Sequence, residues 1–299
     1  MSVIESCFGQ PRGIIQTSAG PVEIATLGDG PPVLSVHGGP GGCDQGLLMA
    51  LPFFRNGFRV IAPSRPGYLG TPLSSGTTFA EQADLLAALL DALNLPSIAV
   101  FGASAGGPPT YLLAQRHPER VSALLVVAGV TRRYTKAAEL SAAERAIFLS
   151  RPGAWFMNWL GHAFPRSVVA NLLKTESTLG PEAIDQRVQE VVADPEKLAF
   201  VQALLRTMSA DFAHRQTGLE NDLHQLEAIG RLDLSAIRCP TMIMHGEADG
   251  DVPPDDARWA NEQIIGSHLH WILQGSHLGF WIAPESAQAQ QIASEFLRR

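Results

Sequence analysis

The sequence contains Ile98-Ala-Val-Phe-Gly-Ala-Ser104-Ala-Gly-Gly-Pro-Pro109, an apolar run that leads through a G-x-S-x-G pentapeptide into two prolines. The apolar part, Ile98–Phe101, predicts a buried strand, and the prolines fit only in the first turn of a helix, predicted over Ala105–Arg116. A serine on such a strand-to-helix turn has a strained backbone and needs small neighbours, which the flanking glycines supply. This context favours Ser104 as a nucleophile over a chance G-x-S-x-G match in a glycine-rich chain.

Short apolar strands alternate with helical segments on both sides of this motif. Thr78 and Glu81 form a capping box that begins a helix with leucines at helical spacing. Strands that are apolar on both faces and alternate with helices indicate an α/β fold, in which helices cover both sides of a mostly parallel sheet. The predicted strands are Ile14–Thr17, Val22–Leu27, Val33–Val36, Arg59–Ala62, Ile98–Phe101, Val121–Val127, Pro240–His245 and His268–Leu273.

The alternation stops between Thr131 and Leu232, where helical segments replace strands. Ser141 and Glu144 form a second capping box, and apolar residues spaced from Leu198 to Phe212 mark a longer amphipathic helix. The alternation then resumes and ends with a helix predicted over Glu285–Phe296. We therefore predict an α/β core formed by residues 1–130 and 233–299, interrupted by a helical insertion at 131–232.

The glycine-rich loop His37-Gly-Gly-Pro-Gly-Gly42 follows a buried strand, at a place where backbone can approach a ligand without interference from Cβ atoms. A developing acyl oxyanion needs two preorganised donors, each typically worth about 3 kcal/mol of barrier. The N–H groups of Gly39 and Ala105, the latter directly after the candidate nucleophile, are predicted to form this oxyanion hole. A purely structural glycine turn is the alternative, and His37 is interpreted as a residue that braces the loop. A phosphate-binding loop is disfavoured because the Gly-Lys-Ser/Thr ending is missing.

Two later loops supply a candidate acid and base. Asp249 comes directly after the seventh predicted strand, and His277 lies in a small-residue loop after the last one. Catalytic groups of open α/β sheets gather at the carboxyl ends of the strands, so both residues should lie close to Ser104. Glu247 and Asp251 are nearby alternatives, interpreted as loop-shaping or exposed residues.

Length and composition fit one large α/β domain with an insertion, or two small domains. A chain of 299 residues can bury roughly 75% of the surface that it exposes when unfolded. The net charge of −7 and the lack of a basic run argue against nucleic-acid or anionic-membrane partners. We recognise neither a leader peptide nor an apolar segment long enough to span a bilayer. Three cysteines without metal or redox spacing fit a reducing compartment, so we expect a cytoplasmic protein, whose oligomeric state stays open.

The motifs together resemble the α/β-hydrolase superfamily. H-G-G-P-G-G, then Ser64-Arg-Pro-Gly-Tyr68, G-x-S-x-G-G, G-x-x-D-x-x-V-P and a late G-x-H occur in that family's order, and the resemblance covers the chain outside the insertion. It implies that Ser104 is the nucleophile, Asp249 the acid and His277 the base. The G-x-x-D-x-x-V-P pattern selects Asp249 over Asp251. Such a mechanism acts on a small-molecule substrate and needs no metal or organic cofactor.

The resemblance identifies the class of substrate less clearly than it identifies the catalytic residues. The loop at 37–42 looks like the oxyanion loop of proline iminopeptidases, but Ala105 stands where those enzymes usually have tryptophan. The stretch Ser64-Arg-Pro-Gly67 replaces their Asp-Gln-Arg-Gly and looks more like general esterases. We therefore predict hydrolysis of small to medium apolar carboxylic esters through an acyl-enzyme. A proline-iminopeptidase-like aminopeptidase and a non-catalytic ligand-binding protein on a hydrolase scaffold are the alternatives.

By the same resemblance, the insertion lies where family members carry a helical cap over the active site. Trp155, Phe156 and Trp159 cluster within it. These aromatic residues are predicted to bind substrate in an apolar pocket. They could equally serve only to pack the insertion onto the core.

Overall fold

The computed structural model describes residues 3–135, 152–153, 159 and 163–298. Its sheet has eight strands in the order β1-β2-β4-β3-β5-β6-β7-β8, in which β2 is antiparallel to β1 and β4 and all other neighbours are parallel. The predicted mostly parallel α/β sheet is confirmed, and the strand ends differ from prediction by no more than two residues. The strands are β1 Arg12–Thr17, β2 Gly20–Leu27, β3 Pro32–Val36, β4 Arg59–Pro63, β5 Ile98–Ala103, β6 Val121–Val127, β7 Thr241–Gly246 and β8 His268–Ile272.

Helices lie on both faces of the sheet. Some were not predicted, because short helices without an apolar stripe carry little periodic signal. Every residue of Cys43–Met49, for example, is buried. The helices are α1 Val3–Phe8, α2 Cys43–Met49, α3 Leu51–Arg55, α4 Phe79–Ala92, α5 Gly107–Arg116, α6 Pro165–Glu176, α7 Pro181–Ala193, α8 Pro195–Ser209, α9 Gln216–Ala228, α10 Pro254–Gln263, α11 Gly279–Ile282 and α12 Ser286–Leu297.

Strand β5 separates two apolar layers. All six of its residues are buried, and successive side chains point to opposite faces. Phe101 belongs to the layer that contains Phe53 of α3 and Phe296 of α12. Val100 belongs to the layer that contains Tyr111 of α5 and residues of α4. A strand covered on both faces fixes the position of the turn that follows it, which is the turn carrying Ser104.

The insertion between β6 and β7 contains helices α6 to α9. Val169, Val188 and Val201 from three of these helices join the same apolar layer as Phe101, so the insertion packs on the core. The predicted capping box at Ser141 and Glu144 lies outside the described residues. None of the helices that the structure describes is long and apolar enough to cross a membrane.

The long amphipathic helix predicted in the insertion ends earlier than expected. The spacing suggested that it reaches Phe212, but α8 ends at Ser209. Asp211 adopts a left-handed backbone with φ 53°, which an α-helix cannot contain, and Phe212 begins a separate short 3₁₀ turn. The prediction was wrong at this end because apolar spacing continues through a break in the backbone.

Candidate active site

Ser104 lies on a sharp turn between β5 and α5. Its φ of 54° is in the left-handed region, which is costly for a residue with a side chain. A Cβ atom at Gly106 would lie 2.5 Å from the carbonyl oxygen of His37 and 2.7 Å from that of Val36. Glycine is therefore required for the turn to pack against the end of β3. This close packing brings the loop at 37–42 beside Ser104.

Ser104, His277 and Asp249 form one hydrogen-bonded chain, although 173 residues separate the serine from the histidine. The Nε2 atom of His277 lies 3.0 Å from Ser104 Oγ, and its Nδ1 atom lies 2.9 Å from Asp249 Oδ2. The three residues follow β5, β8 and β7, so they meet at the carboxyl edge of the sheet, as the sequence predicted. In this geometry a neutral imidazole can accept the serine proton while the carboxylate fixes its tautomer.

The carboxylate of Asp249 is held as an anion. Oδ1 accepts hydrogen bonds from the backbone N–H groups of Asp251 and Val252, each at 2.9 Å. Oδ2 is also 3.2 Å from Nε2 of His245. Burial disfavours the charged form, but the charge of His277 and the hydrogen bonds from His245 and His277 outweigh it and lower the pKa of Asp249 far below its ordinary value.

His277 has carboxylates on more than one side. Asp251 Oδ2 lies 3.7 Å from its Nε2, and Tyr134 donates a hydrogen bond to Asp251 Oδ1 at 2.8 Å. Burial disfavours the imidazolium, but Asp249, through its charge and hydrogen bond, and the charges of Asp251 and Glu176 together raise the pKa of His277 above its ordinary value. The site therefore stabilises the protonated histidine that forms when Ser104 loses its proton.

The loop of residues 37–42 lies beside the serine. A Cβ atom at Gly38 would be 3.2 Å from Ser104 Cβ, and one at Gly39 would be 3.6 Å from Ala105 Cβ. The predicted donors Gly39 and Ala105 are therefore neighbours, next to the serine. Their role as an oxyanion hole stays a prediction.

His37 braces this loop as a buried, neutral side chain. Its Nδ1 donates to the carbonyl oxygen of Gly38 at 2.6 Å, and its Nε2 accepts from the backbone N–H of Arg65 at 2.9 Å. One nitrogen is thus a donor and the other an acceptor, which defines the neutral tautomer. Burial, together with the charge of Arg65, lowers the pKa of His37 well below its ordinary value.

A cavity of about 480 Å³, including its open mouth, lies against Ser104 and His277. Much of its wall is apolar, and its polar side chains include two carboxylates. Among the described residues no lysine or arginine lines it. Apart from Ser104 and His277, its lining side chains are Gln45, Met49, Ala103, Val127, Ala128, Glu176, Leu204, Met208, Asp251, Leu278 and Trp281.

Of the three predicted substrate-binding residues, the structure describes only Trp159, which lies away from the cavity. Trp155 and Phe156 fall outside the described residues. Trp159 packs edge-on against Phe164 and has 48% of its surface exposed. Its role in substrate binding stays a prediction. Sequence reasoning missed Leu204, Met208 and Trp281 as lining residues, because apolar residues on helices look alike whether they face a core or a cavity.

Three comparisons with known proteins identify the family to which this fold belongs. A model of the alpha/beta hydrolase fold family matches residues 31–284. The uncharacterized hydrolase YcgS of Bacillus subtilis is 32% identical over 290 residues, covering 95% of this chain and 97% of the relative. A solved alpha/beta hydrolase fold protein from Nakamurella multipartita is 41% identical, with a TM-score of 0.91 over 96% of this chain and 99% of its own. The chain therefore belongs to the alpha/beta hydrolase fold family.

A more distant relative is named for a particular reaction. The 2-hydroxy-6-oxo-2,4-heptadienoate hydrolase of Pseudomonas putida is 27% identical over 273 residues, covering 89% of each chain.

Proposed function

We propose that this protein is a serine hydrolase that cleaves small to medium apolar carboxylic esters through an acyl-enzyme intermediate. The observation that carries the proposal is the hydrogen-bonded chain from Ser104 Oγ through His277 to Asp249, which borders a largely apolar cavity. The fold alone would not suffice, because one fold hosts many activities. The function is argued from the chemistry of the site.

In the proposed reaction, Ser104 Oγ attacks the acyl carbonyl carbon while His277 Nε2 takes its proton. The N–H groups of Gly39 and Ala105 stabilise the negative charge that develops on the carbonyl oxygen. Asp249 stabilises the positive charge of the imidazolium, which then protonates the leaving alcohol. Water, deprotonated by His277, releases the acyl group and restores the serine.

The cavity supports a neutral substrate. Met49, Leu204 and Met208 offer apolar surface, and methionine side chains adapt to acyl chains of different shapes. Glu176 and Asp251 place negative charge beside the serine, and this charge would repel a substrate that carries a carboxylate of its own. A dienoate, the substrate named for the Pseudomonas putida relative, carries such a carboxylate, so we do not transfer that reaction to this chain.

An aminopeptidase is the second candidate, and Glu176 favours it. Such an enzyme needs an acidic group to hold the ammonium of its substrate, and Glu176 lines the cavity that contains Ser104. Ala105 and the loop sequence at 64–67 remain departures from the proline iminopeptidase pattern. A non-catalytic binding protein is the third possibility, and it would show no turnover.

Covalent labelling combined with a substrate panel tests the proposal. A fluorophosphonate should add once to the wild-type protein and not to Ser104→Ala, as seen by intact mass. A panel of p-nitrophenyl esters and amino-acyl arylamides should give its highest kcat/KM with an apolar ester. Faster turnover of proline arylamides would favour the aminopeptidase. Labelling of Ser104→Ala equal to that of wild type would refute the assignment of the nucleophile.

A further inference from the structure

The loop of residues 37–42 is held at its carbonyl groups by long polar side chains. Arg65 donates from Nε to the oxygen of His37 at 3.0 Å and from Nη2 to the oxygen of Gly38 at 3.2 Å. Gln45 donates to the oxygen of Pro40 at 2.7 Å, and Arg215 donates to the oxygen of Gly41 at 2.6 Å. Side chains outside the loop therefore hold four of its carbonyl groups.

Both arginines are paired with a carboxylate across the boundary between core and insertion. Arg65, which follows β4, binds both carboxylate oxygens of Asp222 in α9. Arg215, directly before α9, binds both carboxylate oxygens of Asp44 in α2, at 3.1 and 2.7 Å. The insertion supplies the acid in one pair and the arginine in the other.

These two ion pairs are buried, with no side chain in either pair more than 3% exposed. A buried charge whose partner is removed is strongly destabilised, because neither water nor a counter-charge replaces the lost contact. Arg65 therefore depends on Asp222 to keep its guanidinium beside the loop. Tyr68 and Gln82 add hydrogen bonds to the same pair, which further limits its movement.

The position of the Gly38 oxygen fixes the direction of the Gly39 N–H. The two groups belong to one planar trans peptide unit, in which the C=O and the N–H point in opposite directions. Arg65 and His37 both bind the Gly38 oxygen and so hold the C=O end of this unit. The N–H end must then point to the other side, away from Arg65.

We propose that Asp222 is a positioning residue for the oxyanion hole, acting through Arg65 on the Gly38–Gly39 peptide. This inference rests on the proposed function, because it concerns a donor that matters only when an oxyanion forms. It makes the insertion part of the catalytic geometry in addition to any role in covering the substrate. An oxyanion donor acts mainly on the transition state, so its displacement should lower kcat and leave KM nearly unchanged.

Asp222→Asn tests the inference, since asparagine keeps the size of the side chain but removes its charge. Loss of one oxyanion donor typically costs about 10²- to 10³-fold in kcat, and we expect a displaced donor to cost at least about tenfold. KM for the best ester should change less than about threefold. A trifluoromethyl ketone with the same acyl chain forms a tetrahedral adduct with serine, so its affinity should fall by the same factor as kcat/KM.

Glu190→Gln is the matched control, because it breaks an ion pair with the buried Arg187 in the insertion without touching the loop. It should leave kcat and ketone affinity unchanged. Arg65→Lys keeps the buried charge but not the forked set of donors. This variant tests the same inference if Asp222→Asn does not fold. It should lower kcat and ketone affinity together.

This inference alone would be overturned if the wild-type enzyme is active and the folded Asp222→Asn and Arg65→Lys variants keep kcat and ketone affinity within twofold of it. A wild-type protein that neither hydrolyses esters nor binds the ketone would overturn the proposed function and the inference with it. Urea unfolding of each variant separates a loss of folded protein from a loss of rate.

Discussion

Asp251 Oδ2 lies 3.7 Å from Nε2 of His277, at the opposite end of the ring from the hydrogen bond to Asp249. The imidazole therefore has a carboxylate near each nitrogen, but only Asp249 is within hydrogen-bonding distance. The sequence pattern selected Asp249 as the acid and left Asp251 as a loop-shaping or exposed residue. The Asp251 side chain is 25% exposed and lines the cavity, where it contributes charge to the reacting side of His277.

Asp249→Asn should lower kcat by orders of magnitude, because the amide favours the wrong tautomer of His277. The corresponding change in a comparable protease triad costs about 10⁴-fold. Asp251→Asn should cost less than about tenfold, since it removes only a longer-range charge. Steady-state kinetics of both variants on one ester decide the matter. The reverse order of effects would mean that the two acids have been misassigned.

The rate should rise with pH as His277 loses its proton, because only the neutral imidazole can accept a proton from Ser104. The carboxylates raise the pKa of His277, so the midpoint of kcat/KM against pH should lie above the ordinary value of about 6.5. Asp251→Asn removes one of these charges and should move the midpoint to lower pH. Asp84→Asn, which alters a distant surface ion pair, is the control and should not move it. A midpoint unchanged in Asp251→Asn would contradict the electrostatic role of that residue.

Longer acyl chains should be better substrates until the cavity is full. Each buried CH₂ contributes ~0.8 kcal/mol, or about fourfold in kcat/KM, so p-nitrophenyl butyrate or hexanoate should exceed the acetate. Glu176→Gln removes one of the charges that raise the pKa of His277, so it should change the rates of all these neutral esters by one small common factor and leave their order unchanged. The same variant should weaken turnover of proline arylamides at least tenfold if the second candidate is correct. A flat chain-length series would count against an apolar acyl site.

Gly106→Ala should destabilise the protein, because the new methyl group would lie 2.7 Å from the carbonyl oxygen of Val36 in β3 and 2.5 Å from that of His37 in the following loop. Overpacking of this kind typically costs about 1–3 kcal/mol, and backbone atoms yield less readily than side chains. Gly13→Ala is the matched control, since no heavy atom outside residues 12–14 lies within 4 Å of its added Cβ. Urea midpoints of the three proteins measure the difference. Equal stability of Gly106→Ala and wild type would show that the turn can move away from β3.

Local pattern was enough to predict the sheet and the three residues that meet on it. Most of the strands are short apolar runs whose ends are marked by glycine, proline or polar residues, so their positions can be found without the fold. Ser104, Asp249 and His277 each directly follow such a strand. Because parallel strands end at one edge of the sheet, order along the chain was sufficient to bring them together.

Tertiary structure alone determined which residues surround Ser104, His277 and Asp249. Asp222 and Arg65 are 157 residues apart, and an acid on an amphipathic helix is expected to be solvated unless the docking of that helix is known. The same holds for Glu176, whose place in the cavity wall depends on how α6 packs. Sequence fixes which face of a helix is apolar, but it does not fix which partner covers each polar residue at the edge of that face. Only the packing of the insertion on the core places Asp222 against Arg65 and ties Arg215 to Asp44.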